Sequence, residues 1–222
     1  MCDICNGTGE RVYRDENGRA CVAVCTDCDT WRNARKANLY KYANLPVKEN
    51  YELNADVYRY VEDFRTLCST RKNWLLISGR PGTGKTTQAT LLGRELIDRY
   101  LRRVKFFNAF DFFRQLASAK CKSQNYESIM DKFLDVDIAI LDDLLKIVPA
   151  ENSFEYEDFK SVVLEALWGR YDGGKPLIIT TQASSSNFVA FDAAFASRLA
   201  EKCSKEQMIK FTEDSKNWRI IA

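Results

Sequence analysis

Hydrophobic positions form short apolar runs that alternate with longer amphipathic stretches from about Leu53 onward. The runs are typical of strands buried on both faces, and the stretches between them are long enough for helices. This alternation predicts an α/β protein with a parallel sheet of five strands. No internal repeat or low-complexity tract interrupts the pattern. The predicted strands are residues 74–78, 104–108, 138–141, 177–181 and 208–211.

The N-terminal part of the chain does not follow this pattern. Residues 1–30 are rich in Cys, Gly, Asp and Thr, and they contain too few large aliphatic side chains to build a core of their own. Basic side chains without any acid then occur between Arg32 and Lys48, and Pro46 predicts the end of a helix. We therefore predict a small module over residues 1–30, a basic helix and linker over 31–52, and a core domain over 53–222.

Composition excludes several kinds of chemistry. The 222 residues carry 33 basic and 31 acidic side chains, and this net charge of +2 excludes a strongly polycationic nucleic-acid binder but not local basic patches. Because the chain has no histidine, a Ser-His-Asp triad, a Cys-His dyad and any His-containing zinc site are impossible. The apolar runs are far shorter than the ~20 residues that span a bilayer. With no signal-peptide pattern after Met1, we expect a cytoplasmic protein in which thiols stay reduced.

A phosphate-binding loop follows the first predicted strand of the core, where residues 79–86 match G-x-x-x-x-G-K-[ST]. Glycines let backbone N–H groups converge on a β-phosphate, and the following helix adds a positive dipole. Lys85 would reach the β- and γ-phosphates, and Thr86 would offer its hydroxyl to Mg²⁺. An incidental lysine in a glycine-rich turn is the alternative, although strand, motif and helix follow in the required order. The predicted nucleotide-binding residues are Gly79, Arg80, Pro81, Gly82, Thr83, Gly84, Lys85, Thr86 and Thr87.

Two acidic residues, Asp142 and Asp143, directly follow the apolar residues 138–141. Open α/β sheets bind ligands at the carboxyl ends of their strands, so both side chains are expected near the phosphate-binding loop. Asp142 is predicted to hold Mg²⁺ through water, and Asp143 to orient or deprotonate an attacking water. The alternative is that the two acids only solvate a turn.

Phosphoryl transfer also needs positive charge at the γ-phosphate, from an arginine that a neighbouring subunit can supply. Arg198 lies between the last two predicted strands and is the candidate for this arginine finger. Gln182 directly follows the predicted strand at residues 177–181, and we expect it beside the γ-phosphate. Lys85, Asp142, Asp143, Gln182 and Arg198 are therefore the predicted catalytic residues.

Cysteines are concentrated in the first 28 residues, which contain five of the eight. The pairs Cys2-x₂-Cys5 and Cys25-x₂-Cys28 have the spacing of a structural zinc site with four thiolate ligands. Cys21 is an alternative fourth ligand, although a CxxC knuckle closes with better geometry than CxxxC. An iron–sulfur cluster and unligated cysteines are further alternatives. The remaining three, expected to be small buried residues, are Cys68, Cys121 and Cys203.

Taken together, these motifs resemble AAA+ ATPases of the DnaC/DnaI-type replicative helicase loaders, a group similar to the IstB-type transposition helpers. The resemblance rests on the N-terminal CxxCxGxG segment, residues 43–46, the loop at 79–86, residues 141–143 and the stretch 197–219. It implies an ATP-dependent homo-oligomer that binds a hexameric replicative helicase through its cysteine module. The helicase would be delivered onto single-stranded DNA in a phage or mobile-element replication system. A core without a C-terminal helical lid is also expected.

The resemblance implies further residue roles. Arg198 matches the finger that acts on a neighbouring subunit, and Arg219 matches a terminal sensor arginine. Residues 109–132 match the region where loaders place helices that line a channel for single-stranded DNA. Basic side chains there would follow phosphates and aromatic ones could stack on bases, unless the aromatic side chains belong to the core. The residues concerned are Phe112, Phe113, Arg114, Lys120 and Lys122.

Two residues depart from the family pattern. Asp143 stands where the family usually has Glu, and Gln182 stands where it usually has Asn. Both keep the chemical type, so they bear on the rate of turnover more than on nucleotide binding. Two other functions therefore stay open: an IstB-like helper that remodels duplex DNA, and an interaction protein that is switched by nucleotide and hydrolyses little of it.

Replacing the fourth predicted thiolate tests the zinc site. We expect the Cys28→Ser chain to bind less zinc than the unaltered chain, because a site designed for four thiolates then lacks one. The Cys21→Ser chain is the matched control and should keep its full zinc content, measured by atomic emission on purified protein. Full zinc in Cys28→Ser together with a loss in Cys21→Ser would assign the fourth ligand to Cys21.

Overall fold

The structure is a computed structural model that describes residues 10–14, 20–24, 53–100, 102–122, 125–150 and 153–211. Several predictions fall outside the described residues. They concern the basic segment 31–52, Arg219, and the zinc ligands Cys2, Cys5, Cys25 and Cys28.

A β-hairpin lies within the N-terminal module. Strand β1 (Glu10–Arg14) pairs antiparallel with β2 (Ala20–Val24), with Val12 opposite Val22. The sequence analysis did not predict these strands, because residues 1–30 contain few large aliphatic side chains and were interpreted only as a cysteine module.

The core is a five-stranded parallel sheet with helices on both faces, which confirms the predicted α/β core. The strand order is β4-β5-β6-β3-β7. No helix in the described part of the chain is long and apolar enough to cross a membrane. In chain order the elements are α1 (Ala55–Ser69), β3 (Trp74–Gly79), α2 (Lys85–Tyr100), β4 (Val104–Asn108), α3 (Ala109–Lys122), α4 (Tyr126–Leu134), β5 (Ile138–Leu144), α5 (Phe154–Asp172), β6 (Leu177–Thr181), α6 (Ser185–Phe191), α7 (Ala193–Lys202), a 3₁₀ turn (Lys205–Gln207) and β7 (Met208–Phe211).

Strand β5 shows why the central strands are continuous apolar runs. Ile138 and Ile140 pack into the cluster that includes α1 and α2, whereas Ala139 and Leu141 pack into the cluster with α3 to α7. A strand covered on both faces needs apolar residues at every position, which is the pattern expected of a parallel sheet. The strand continues past its predicted end at residue 141 to Leu144, so that both aspartates belong to it.

Helix α3 settles the role of the aromatic side chains in the predicted DNA-binding region. Phe112 and Phe113 are buried, with exposures of 6% and 0%, and their rings pack against each other. Phe112 also contacts the rings of Phe107 and Phe133. The side chains are therefore part of the core, and the suggestion that they stack on DNA bases is wrong.

Arg170 lies at the amino-terminal edge of the sheet and is fully buried. Its guanidinium donates hydrogen bonds to backbone carbonyls that precede β5 and β6, including those of Val136 (2.6 Å), Asp137 (3.2 Å) and Pro176. Burial lowers the pKa of Arg170 to about 9. The carbonyl oxygens solvate the cation in place of water, so this side chain joins α5 to the start of two neighbouring strands.

The three cysteines of the core differ in exposure. Cys203 is buried, as predicted, and Cys68 is partly buried. Cys121 is exposed on the last turn of α3, so the prediction of burial is wrong for this residue. Its Sγ lies 3.5 Å from the carboxylate of Asp158 on α5.

Candidate active site

The strand order brings the predicted site residues to one edge of the sheet. Strand β3 pairs with β6, and β6 pairs with β5, all in parallel. The carboxyl ends of these three strands therefore meet, and the phosphate-binding loop, the two aspartates and Gln182 all leave the sheet there. Strand β3 continues through the single helix α2 to β4, which lies on one side of it, whereas β7 lies on its other side. The connections therefore diverge at β3, as at a topological switch point.

Glycines shape the phosphate-binding loop. Gly79, Gly82 and Gly84 have φ angles of +152°, +84° and +88°, a region that side chains with a Cβ rarely adopt. A Cβ on Gly79 would also lie 2.8 Å from the carbonyl oxygen of Phe211. Glycine is therefore required where the loop leaves β3 beside the end of β7.

Lys85 lies at the centre of the loop, with an exposure of 5%. Its Nζ donates to the carbonyl oxygens of Gly79 and Arg80, each at 2.8 Å, and Thr83 Oγ1 also donates to Arg80, at 2.9 Å. The loop is thus wrapped around the ammonium group. Lys85 and Thr86 begin helix α2, whose N-terminus carries a positive partial charge and can bind an anion.

Asp142 is the buried acid of the site, with an exposure of 3%. Thr86 Oγ1 donates to its carboxylate at 2.9 and 3.2 Å, and Thr180 Oγ1 donates to Oδ1 at 2.6 Å. Burial raises the pKa of Asp142, and the hydrogen bonds from Thr180 and Thr86 act in the opposite direction. A hydroxyl beside one carboxylate suits Mg²⁺, which takes its remaining ligands from substrate phosphates and water. The residues present therefore fit the metal predicted from the sequence.

Asp143 has a strained backbone, with φ of +59°, which is uncommon for a residue other than glycine. Its N–H donates to Thr180 Oγ1 at 2.9 Å, and the pairing of β5 with β6 shifts register between Leu141 and Leu144. This bulge directs the carboxylates of the two consecutive aspartates to different side chains. Strained residues that their surroundings hold in place are concentrated at functional sites.

The Asp143 carboxylate has two side-chain partners. Lys146 Nζ donates to Oδ2 at 2.7 Å, and Gln182 Nε2 lies 3.5 Å from Oδ1. The structure thus brings Asp143 and Gln182 together. Thr180 and Lys146 complete the site and were not predicted. The available signal was a pair of threonines, Thr180 and Thr181, that end an apolar strand beside the strand of the two aspartates.

Arg198 lies away from these residues. Its guanidinium carbon is 3.4 Å from the centre of the Trp168 ring and 5.2 Å from that of Tyr171, so it packs against α5. The side chain is thus directed toward a neighbouring helix rather than toward the loop of its own chain.

The basic side chains of α3 remain candidates for contacts with phosphates. Arg114 and Lys122 are exposed. Arg114 lies 3.8 Å from Asp111, and Lys120 lies 3.2 Å from Glu165, so acidic partners share this surface. Exposed pairs of this kind are weak and leave the basic side chain accessible to a competing anion.

Fold and site together define a nucleotide-binding protein of the AAA+ type, with a phosphate-binding loop on β3 and a buried acid on β5. Residues 23–214 match the family described as IstB-like ATP binding protein. The chain belongs to this family.

Two relatives come from Bacillus subtilis (strain 168). The uncharacterized protein YqaM is 27% identical over 160 residues, which are 71% of this chain and 48% of YqaM. The phage-like element PBSX protein XkdC is 28% identical over 161 residues, which are 71% of this chain and 57% of XkdC. The chain thus spans about half the length of the curated relatives it matches.

A solved structure of the DnaC helicase loader has the same fold. It superimposes with a TM-score of 0.52 and 23% identity, covering 72% of this chain and 90% of DnaC. At this identity the likeness concerns the fold.

Thr180 can be tested by removing its hydroxyl. We expect Thr180→Val to weaken Mg²⁺-dependent ATP binding about tenfold, because Asp142 loses its shortest hydrogen bond and Asp143 loses an acceptor. Thr90→Val is the matched control, since this buried hydroxyl donates only to the helix carbonyl of Thr86. ATP titrations with and without Mg²⁺ measure the effect. Equal Mg²⁺ dependence in the two variants would contradict the role assigned to Thr180.

Proposed function

We propose that this protein is an ATP-dependent loader that binds a replicative DNA helicase and delivers it onto single-stranded DNA. The observation that carries the ATPase part is the Thr180 hydroxyl, which joins the two aspartates and holds Asp142 opposite Thr86. The loader part is supported by membership of the IstB-like family and by a fold shared with a helicase loader.

The chain's own residues divide the work of hydrolysis. The loop and Lys85 bind the phosphates, while Thr86 and Asp142 provide oxygen ligands for Mg²⁺. When bound, Mg²⁺ would neutralise charge that develops between the β- and γ-phosphates. Asp143 accepts a proton from the attacking water or orients it, and Gln182 donates its amide beside that carboxylate.

Slow turnover is part of the proposal. Asp143 is one methylene shorter than the glutamate that is usual in the family, and its carboxylate is also bound by Lys146 at 2.7 Å. Lys146 would therefore compete with the attacking water for this carboxylate. ATP binding would therefore last long enough to hold an assembly together, and hydrolysis would end it.

Assembly of several copies would complete the site. Arg198 packs against α5 and is partly exposed, and in this proposal it would reach the γ-phosphate bound by a neighbouring copy. Arg219 remains a predicted sensor arginine. We therefore propose an ATP-dependent homo-oligomer in which each active site combines residues of two protomers.

Contacts with DNA would be mainly electrostatic. With Phe112 and Phe113 in the core, the exposed Arg114 and Lys122 are left to follow the phosphates of single-stranded DNA. Binding of this kind weakens steeply as the salt concentration rises. The cysteine module, with Zn²⁺ as its structural metal, is proposed to bind the helicase. We expect the protein to act in the cytoplasm of a bacterium or of a phage-infected host.

A second candidate is a transposition helper that remodels duplex DNA, which the match to the IstB-like family favours. The two functions differ in the nucleic acid and in the partner protein. ATP-dependent binding to duplex DNA without any helicase would support the helper. A nucleotide-switched interaction protein with little hydrolysis is a third candidate, favoured by the Asp143–Lys146 ion pair.

Turnover measurements test the catalytic assignments. We expect Asp143→Asn and Arg198→Ala to lower the rate of ATP hydrolysis by at least about 100-fold while nucleotide affinity is kept, because both act on the transition state. Arg114→Ala, on the exposed face of α3, is the control and should keep its turnover without DNA. Unchanged turnover in both site variants would remove the catalytic roles and leave the nucleotide-switched candidate.

A loading assay tests the partner. The chain should co-elute with the hexameric helicase of its own replication system in the presence of ATP and place it on DNA coated with single-strand-binding protein. The Lys85→Ala chain, which lacks the phosphate-binding ammonium, should fail to load. A chain that hydrolyses ATP but binds no helicase would refute the loader and favour the transposition helper.

A further inference from the structure

Two aromatic side chains on α5 form a surface on which Arg198 rests. Trp168 and Tyr171 are three residues apart, so they lie on the same face of the helix, next to α7. The Arg198 guanidinium carbon is 3.4 Å from the centre of the Trp168 ring, a direct face-on contact. We call Trp168 and Tyr171 the aromatic shelf.

The shelf is itself held in place. The Tyr171 hydroxyl donates to Glu201 at 2.8 Å, and Lys202 Nζ lies 4.6 Å from the centre of its ring. The edge of the same ring meets Trp74 at the start of β3, at 87° between planes. The shelf is therefore connected both to α7, which carries Arg198, and to the sheet.

Stacking restricts an arginine without using its hydrogen-bonding edge. A free arginine samples many rotamers, and this conformational entropy is lost when the guanidinium binds a phosphate in one of them. An aromatic face engages the plane of the guanidinium, whereas its N–H donors lie at the edge of that plane. A stacked arginine is therefore ordered and still presents donors to an anion.

We propose that Trp168 is a positioning residue for Arg198 and holds it ready for the ATP bound by a neighbouring copy of the chain. This inference rests on the finger role given to Arg198 under the proposed function. Trp168 itself is partly buried, and it would touch neither nucleotide nor metal. Its effect on hydrolysis would pass through the arginine that covers its ring.

The direct test is the steady-state ATPase activity of Trp168→Ala. We expect kcat to fall about 10- to 100-fold, the scale of a misplaced catalytic group, with KM for ATP little changed. Trp168→Phe keeps an aromatic face and should recover most of the activity. Phe110→Ala is the matched control, because it removes the ring under Arg114, the corresponding pair on α3 at 5.5 Å.

Mixing experiments separate a finger defect from general damage. A mixture of Trp168→Ala with Lys85→Ala should regain activity, since the intact loop of the first chain meets the intact finger of the second. A mixture of Trp168→Ala with Arg198→Ala should stay inactive, because neither chain supplies a working finger. Damage to the loop of the Trp168→Ala chain would give the reverse pattern and would overturn the inference.

The remaining outcomes are also decisive. Full activity of Trp168→Ala beside an inactive Arg198→Ala would refute the positioning role alone. Full activity of Arg198→Ala would refute the finger, and the inference with it. If Trp168→Ala does not fold, Trp168→Leu keeps apolar volume without an aromatic face, and the same mixtures then test the positioning role in the same way.

Discussion

Arg170 is the constraint on which the rest of the core depends. It is fully buried, and its guanidinium donates to carbonyls in the turn from α4 to β5 and to the residue before β6. A buried cation needs such partners, and the two Nη atoms of Arg170 donate to several carbonyls at once, so these carbonyls are held close together. The side chain thereby fixes where two adjacent strands begin, relative to each other and to α5.

The relative position of β5 and β6, which Arg170 holds at the amino-terminal ends of the strands, also determines the geometry of the site at their carboxyl ends. Strands β5 and β6 run in parallel with Leu141 opposite Ile179, so a shared start determines which residues lie together at their ends. Asp142 reaches the Thr180 hydroxyl because of that register, and the bulge after Leu141 lets the N–H of Asp143 reach the same hydroxyl. A slip of one residue would turn both aspartates to the opposite faces of the sheet.

Local patterns were enough to predict much of the fold. Apolar runs located β4, β6 and β7, and the loop around Lys85 was evident because its chemistry lies in eight consecutive residues. Contacts between distant residues were not predictable in this way. In sequence Arg170 is one more arginine on a helix, and Thr180 is one of two threonines that end a strand. Their roles arise from partners some 35 positions away, which only strand pairing and helix packing bring near.

Helix α5 connects the two halves of the proposed mechanism. One face carries Arg170, which sets the register of the strands that form the nucleotide site, and another carries the aromatic shelf beneath Arg198. Arg198, which would complete a neighbour's site, therefore packs on the same helix that positions the strands of the site in its own chain. Because Trp74 contacts Tyr171 of the shelf, strand β3, which leads into the phosphate-binding loop, also packs against this helix. An assembly built from such copies would keep each finger in a defined relation to each loop through the packing of this one helix.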